Sequence, residues 1–460
     1  MMRDYAGVLA LSVVHLGLGA AVLYGLGLAR AWRAQLSYAG LSLVVGWVLL
    51  GIASSFALVA GLALTVPELL VLAFVLAGCA LLLSRRVAPA VVGSGAPAAA
   101  AWLNWVAVAG AALLFVYVEA LFRRAKVEQP HDWDVWAFWL PKAKSIVYFG
   151  GLDTGVGGYT SFANPDYPPL VPASEAGVFR FVGSADPRAL PLQHWVLAVA
   201  FFGALAALLA RRVPQWIVWP SLAMLAVLPT YTRFVGSSLA EEPLVLIVGV
   251  ATVCGALWML EGEARLGVLC GILLAGEALA KNEGLVFAVL VALVIGLARS
   301  AAWPRRLAST ALLAAAPILA VVPWRLWMQA HHVPPTAAYR FGDLFRPSYL
   351  ADRVDRLGIA FERLPGFVFA WDRWLLTVPV AIALALIVAR RRPPLSALLL
   401  VGLVVGFLGN AVTYWISTFP LDWYISTSAA RTTATLVIFA AVLLPLLAAE
   451  AFAPEPDASG

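Results

Sequence analysis

The sequence predicts an all-α protein, a polytopic bundle of about thirteen helices crossing a membrane, on three observations. Hydrophobic residues fill 62% of its 460 positions and charged residues only 12%. The mean hydropathy is +0.90, which excludes a water-soluble globule. Apolar runs of about 17 to 25 residues recur from end to end, each long enough to cross ~30 Å of hydrocarbon as a helix. The ~10-residue alternating segments of a transmembrane β-barrel are absent.

The spans are expected at 6–29, 38–62, 66–84, 100–122, 190–210, 213–230, 237–259, 266–280, 284–298, 307–323, 374–389, 395–415 and 430–450. The first follows MMRDYAG, too poor in positive charge for a signal-peptide n-region, and is expected to stay as a helix. Residues 87–99, rich in Pro, Gly and Ala, read as a cytoplasmic linker between three N-terminal helices and the rest. Beyond the fourth span, Trp136, Trp139, Ala143, Ile146 and Val147 repeat at three and four, predicting an amphipathic juxtamembrane helix whose aromatics suit the headgroup layer. The stretch 170–183 is too short to span and carries Glu175 and Arg180, so a helix along the membrane surface is expected. Leu350, Val354, Leu357, Phe361 and Leu364 predict a further amphipathic surface helix. The tail 451–460, ending PEPDASG, has a disordered composition, and no fixed-period repeat stands out.

Lys and Arg number 31 against 25 acids, an excess that in this class reports topology rather than a surface for nucleic acid. Arg30 and Arg33, Arg85 and Arg86, Arg211 and Arg212, Arg299 with Arg305 and Arg306, and Arg390 to Arg392 fall on one side, which the positive-inside rule makes cytoplasmic. Arg123, Arg124 and Lys126 are the exception. The N-terminus is then expected outside and the C-terminus in the cytoplasm. Cys79, Cys254 and Cys270 lie in apolar runs without paired spacing, which suits neither a disulfide framework nor a zinc site.

The polar clusters gather on the non-cytoplasmic face. Asp134 lies just before the first turn of the Trp136 helix, where a carboxylate caps free N–H groups. Partly shielded from water, it could equally act as a general base towards an incoming hydroxyl, with Asp132 beside it. In NPDYPPL, Pro168 and Pro169 fix an extended turn and Asp166 is a second acid. Glu241 and Glu242 open a span, where the helix dipole also favours them. Glu277, Lys281 and Glu283 sit in an apolar hairpin, where ionisable groups are costly unless paired or facing a wet cavity. Glu277 and Lys281 are four apart and could pair; alternatively, Lys281 neutralises a lipid phosphate. His331 and His332 have no acid or Cys at ligand spacing, so no metal ligands are assigned. No phosphate-cradling glycine loop, zincin helix or nucleophile elbow occurs, which removes the basis for ATP-driven or serine-hydrolase chemistry.

In this order the motifs resemble those of the GT-C superfamily of membrane glycosyltransferases, above all bacterial relatives of protein O-mannosyltransferases and of the lipid A aminoarabinose transferase. The residues carrying the resemblance are Asp134 in DWDVW, Tyr167 to Leu170, Glu242 with Pro243 and Leu244, and Lys281 to Gly284. The resemblance covers 100–450 as a GT-C-like catalytic module and leaves 1–86 outside it. It implies a bacterial inner-membrane protein, a helical bundle with an outward cavity near the membrane surface, and a donor sugar on a polyprenyl phosphate. It also implies a catalytic acid in the first outer loop, Asp134 with Asp132 in reserve. Two departures stand out. Trp133 separates the loop's acids, where the family commonly has adjacent Asp-Glu, and this leaves open which one acts. Glu242 stands where relatives often have Asp.

The expected activity is that of an inverting hexosyl- or pentosyltransferase. An acceptor hydroxyl, deprotonated by Asp134, attacks the anomeric carbon and displaces the lipid phosphate in one step. Cations for the leaving phosphate are Lys281 first, then Arg431, with Arg340 and Arg346 on the same side. Asp166, Glu242, Glu283, Trp136 and Tyr167 are candidates for second acids or for contacts to acceptor or sugar, although tryptophans also anchor bilayers. No cofactor is firmly implied, and help from a divalent cation stays open. The rival readings are a polymerase or ligase joining lipid-linked glycans, and a transporter coupled through Glu277 and Lys281.

Overall fold

A computed structural model describes residues 2–89, 100, 102–299, 301–335 and 340–453. Most of the 87–99 linker and the tail beyond Ala453 lie outside these residues. Every regular element in the described residues is a helix. The chain opens with α1 (Met2–Gly25), the short α2 (Trp32–Ser37), α3 (Ala39–Val59) and α4 (Val66–Leu83), and α5 (Leu103–Val127) follows the linker. Two helices, α6 (Leu140–Phe149) and α7 (Leu170–Val182), come before the next long element. The centre of the chain forms α8 (Leu190–Leu209), α9 (Gln215–Ala226), α10 (Pro229–Phe234), α11 (Glu241–Glu261), α12 (Ala264–Ala280), α13 (Asn282–Ala298) and α14 (Trp303–Ala330). Then come α15 (Pro347–Ala351), α16 (Val354–Val368), α17 (Trp371–Trp374), α18 (Thr377–Val388), α19 (Pro393–Ile416), α20 (Leu421–Thr432) and α21 (Ala434–Ala451).

Each interval expected to span holds a helix, but not each helix is long enough. Among the described residues, 9 helices are long and apolar enough to cross a membrane, with α20 and α21 running on as one. The other four intervals hold α9, α12, α13 and α18, of 12, 17, 17 and 12 residues. At 1.5 Å per residue a 12-residue helix covers only about 18 Å of a ~30 Å core. Local chemistry sets these ends: Pro229 starts a new helix beyond α9, and Lys281 is extended between α12 and α13, at φ −158° and ψ 154°.

Helix α11 is the axis, 94% of its most apolar window being buried, with α8, α12 and α21 packed around it. Helices α4 and α5 stand at the rim, only 11% and 22% buried. The helices before the linker are built into the bundle, since α3 packs on α7, α8 and α12 as well as on α1. Where α1 crosses α3 the backbones touch. A Cβ on Gly19 would lie 1.7 Å from the Ser42 carbonyl oxygen, and one on Gly46 1.8 Å from that of His15, so the crossing requires glycine on both helices.

The expectation for 170–183 is corrected. Helix α7 does not lie along a surface: most of its length is buried against α1, α3 and α6. Arg180 finds partners inside the protein, donating to the carbonyls of Leu64 and Val147 at 2.8 Å each, and Glu175 is drawn in beside His194. Helix α16 does sit at the surface. It buries Ala360, Leu364 and Val368 towards α19 and α20, while Val354 and Phe361 of the expected stripe are exposed.

The arginine-rich connections meet at one end of the bundle. There Arg211 bonds Glu261 at 2.8 Å and Glu263 at 2.6 Å, and Arg392 bonds Glu450 at 2.9 Å. Helix α11, 21 residues long, carries Glu261 at that end and Glu241 at the other, about 30 Å apart.

Candidate active site

A single π-helical turn, Val135–Trp139, leads into α6 and buries Val135, Phe138 and Trp139. Trp139 stacks on Tyr167 with ring centroids 5.4 Å apart. Trp136 is half exposed and donates its Nε1–H to the Pro130 carbonyl at 2.8 Å. It faces a separate shallow groove with Lys144, Tyr148 and Phe149. Asp134 makes no side-chain cap on this turn. Its carboxylate is held instead by Arg431 of α20, while Asp132 pairs with Arg233 of α10 at 3.1 Å. The two acids therefore have different partners.

From Asp134 the charges alternate. Arg431 Nε stands 3.7 Å from Glu241 Oε1, and the same oxygen accepts from Lys281 Nζ at 2.8 Å. Because Lys281 sits in the break between α12 and α13, its side chain leaves the helical register, and the pairing with Glu277 four residues earlier does not form. Gly284 lets α13 start hard against the end of α12: a Cβ there would fall 2.2 Å from the Glu277 carbonyl oxygen. Glu277 is buried, and neither of its carboxylate oxygens has a partner among the described residues. Glu283 accepts from the Tyr167 hydroxyl at 3.2 Å, and Lys281 Nζ lies 5.9 Å from the centre of the Tyr167 ring. Asp166 accepts from Asn282 Nδ2 at 3.1 Å, and Asn282 Oδ1 accepts in turn from Arg325 at 2.8 Å.

Glu241, Lys281, Glu283 and Arg431 line one cleft. Asn410 and Thr413 of α19, with Thr432 and Thr435, add uncharged polar groups to its wall. The rest is apolar, lined by Leu244, Val286, Phe287 and Leu290 beside Gly406 and Gly409. Burial pushes the Asp134 carboxyl above its ordinary pKa, with Arg431 opposing the rise and Glu241 adding to it. Such a group suits proton transfer better than a fully solvated carboxylate.

Other sequence candidates lie elsewhere. Glu242 points away from the cleft, 2.8 Å from His194 Nδ1, and accepts from the Gly236 amide at 3.0 Å. Arg340 is exposed at the start of a 3-10 turn, Phe341–Phe345, and does not line the cleft; Arg346 bonds Asp343 at 3.1 Å. His331 stacks on Trp327 with centroids 4.3 Å apart. No group of three or more His, Cys, Asp or Glu among the described residues could hold a metal ion.

Sequence reasoning missed Lys142. It is buried, donates to the Asn164 carbonyl, and lies 4.9 Å from the centre of the Tyr159 ring. Burial pushes its amine down to about 7, against the pull of Asp166. The signal was present: Lys142 is three residues past Trp139 and four before Ile146, on the stripe that packs inward. Sequence reasoning also chose Glu242 over Glu241, the acid that faces the cleft. Comparison with protein-family models, with curated proteins and with solved structures finds no match to this chain.

Proposed function

We propose that the protein is an inverting glycosyltransferase that moves a sugar from a polyprenyl-phosphate donor to an acceptor hydroxyl, on the non-cytoplasmic side of a bacterial inner membrane. One observation carries this reading: one cleft is lined both by the cations Lys281 and Arg431 and by Val286, Phe287 and Leu290, which follow one to two turns further along α13. A phosphate on an isoprenoid tail has that same polarity gradient, whereas a free nucleotide or a soluble sugar does not. The resemblance of Asp134 and of Lys281 to Gly284 to GT-C motifs supplies the sugar.

The resting charges suggest an order of events. Arg431 is engaged by Asp134 and Glu241, and Lys281 by Glu241. A donor phosphate competes for both cations. As Arg431 turns to the phosphate, Asp134 loses its partner and can take a proton. The acceptor oxygen then bonds to the anomeric carbon, its proton passes to Asp134, and the carbon–oxygen bond to phosphate breaks. The electron pair leaves with the phosphate, whose charge Lys281 and Arg431 balance. Donor binding thus precedes activation of the acceptor.

The test is transfer of labelled sugar from a panel of polyprenyl-phosphate donors, using purified protein in lipid with membrane extract as acceptor. The parent should transfer, and Asp134→Asn should bind donor without transferring. Failure of the parent to discharge any donor would sink the proposal. A transporter coupled through Glu277 and Lys281 is the second reading, favoured by the unpartnered buried carboxyl of Glu277. Uptake into vesicles that is lost in Glu277→Gln would move it ahead.

A further inference from the structure

A groove apart from the candidate active site runs between α1 and α5, with α8 as its floor. On α1 its wall is Tyr5, Leu9, Val13 and Leu16, which recur at steps of three and four and so share one face. Trp195 and Val196 belong to the floor, and Phe122 of α5 stands opposite. At the mouth the Phe122 ring lies 6.4 Å from Tyr5 and 4.8 Å from Trp195, centre to centre. Leu9 and Val13 are 66% and 58% exposed. The polar groups below the mouth are satisfied locally: the Ser12 hydroxyl donates to the Val8 carbonyl at 2.7 Å, and Trp195 Nε1–H to the Val118 carbonyl at 2.9 Å. What remains is apolar surface.

The length of the groove decides what kind of chain it fits. From Tyr5 to Leu16 it follows α1 for about 16 Å, half of the ~30 Å hydrocarbon core. A transmembrane helix of another protein would need a groove of about twice that length. One lipid chain, confined to one leaflet, fits this one.

The mouth carries a cation. Lys126, one turn beyond Phe122 on α5, is exposed and holds its ammonium 5.5 Å from the centre of that ring. It belongs to the basic cluster at the end of α5 that the positive-inside rule does not account for. Within that cluster Arg123 pairs with Glu119, and Arg124 with Glu128 and the Thr232 carbonyl. We infer that the groove binds an anionic phospholipid, with one acyl chain lying between α1 and α5 and the phosphate against Lys126. A zwitterionic headgroup brings its own cation to the phosphate and gains less from the lysine. This site does not depend on sugar transfer, and it shares no lining residue with the cleft of Lys281 and Arg431. A lipid held there joins α1, ahead of the linker, to α5 behind it.

The test is photolabelling in phosphatidylcholine nanodiscs by a small admixture of phosphatidylglycerol that carries a diazirine midway along one acyl chain. Phosphatidylcholine bearing the same chain is the comparison, and mass spectrometry of peptides maps the adducts. Adducts on the exposed face of α4, at Val71, Phe74 and Val75, report boundary lipid and should not distinguish the probes. At Leu9, Val13 and Val196 the phosphatidylglycerol probe should label about fivefold more than the phosphatidylcholine probe, the preference that one lysine near a headgroup supplies. Lys126→Gln should bring that ratio to about one. Val13→Trp, which fills the groove, should remove the groove adducts and leave those on α4. Both side chains are exposed, so neither variant opens the core. Equal labelling of the groove by the two probes in the parent overturns the proposal, as does a preference that survives Lys126→Gln. Groove residues left unlabelled while α4 reacts would mean that a protein segment covers them, and that outcome overturns it too.

Discussion

Lys281 donates to Glu241 across 2.8 Å, joining the break between α12 and α13 to the first turn of α11. Both groups are buried, so the pair is worth most when neither partner is left alone. Lys281→Ala should destabilise the protein by about 3 kcal/mol, the low end for breaking a buried pair, because Glu241 loses its hydrogen-bonded partner and keeps only Arg431 at 3.7 Å. The double variant Lys281→Ala, Glu241→Ala should lose less than the two single losses added together. Thermal unfolding of all four proteins in one detergent closes the cycle, and simple additivity would refute the coupling.

The pH dependence of transfer should report Asp134. Its pKa is raised above the ordinary 3.8, so the base form, and with it the rate, falls as pH drops through a value higher than a solvated aspartate would give. Arg431 opposes the rise. Arg431→Ala should therefore move the acidic limb to still higher pH while weakening donor binding. Asp134→Asn should remove about 10²–10⁴-fold in rate. A limb unchanged in both variants would assign it to another group.

Lys142 should make stability rise with pH. Its amine has an ordinary pKa of 10.5 and is pushed down to about 7 in the folded protein. Between those values the unfolded chain holds a proton that the folded chain has released, so stability climbs across the window and is lost as pH falls through 7. Lys142→Met should flatten this slope, which thermal midpoints measured from pH 7 to 10 would show.

Glu175 should have the opposite sign. Burial lifts its carboxyl from 4.5 to about 8, with His194 opposing. Between those values the folded chain keeps a proton that the unfolded chain has lost, so stability falls as pH rises towards 8. Glu175→Gln keeps the shape and removes the titration. Its melting temperature should exceed that of the parent at pH 8 and match it near pH 5.

The helical class and the position of nearly every helix were legible because hydrophobic run length is a strong local signal. Span length was less so. Pro229 cuts the apolar run 213–230 into pieces shorter than the membrane, a break that hydropathy does not register, whereas the break at Lys281 falls between the expected intervals 266–280 and 284–298. Of the charged residues chosen in the sequence, Lys281, Glu283 and Arg431 line one cleft, and Asp134 stands beside it through its bond to Arg431. Glu242 was chosen for its place before Pro243 and Leu244, and because α11 is apolar all round no period marks that Glu241 is the acid that turns to the cleft. The burial of α7 was hidden because the His194 beside Glu175 and the carbonyls that satisfy Arg180 are distant in sequence.

The separations between partners also describe how the site is made. Synthesis runs from the N-terminus, so His194 already exists when Glu242 emerges 48 residues later. Glu241 waits 40 residues for Lys281. Asp134 waits 297 residues for Arg431. The nascent protein therefore carries this carboxylate without its arginine through the synthesis of α6 to α19. A ribosome stalled before α20 would leave a bundle with its axis in place and its Asp134 still open to water.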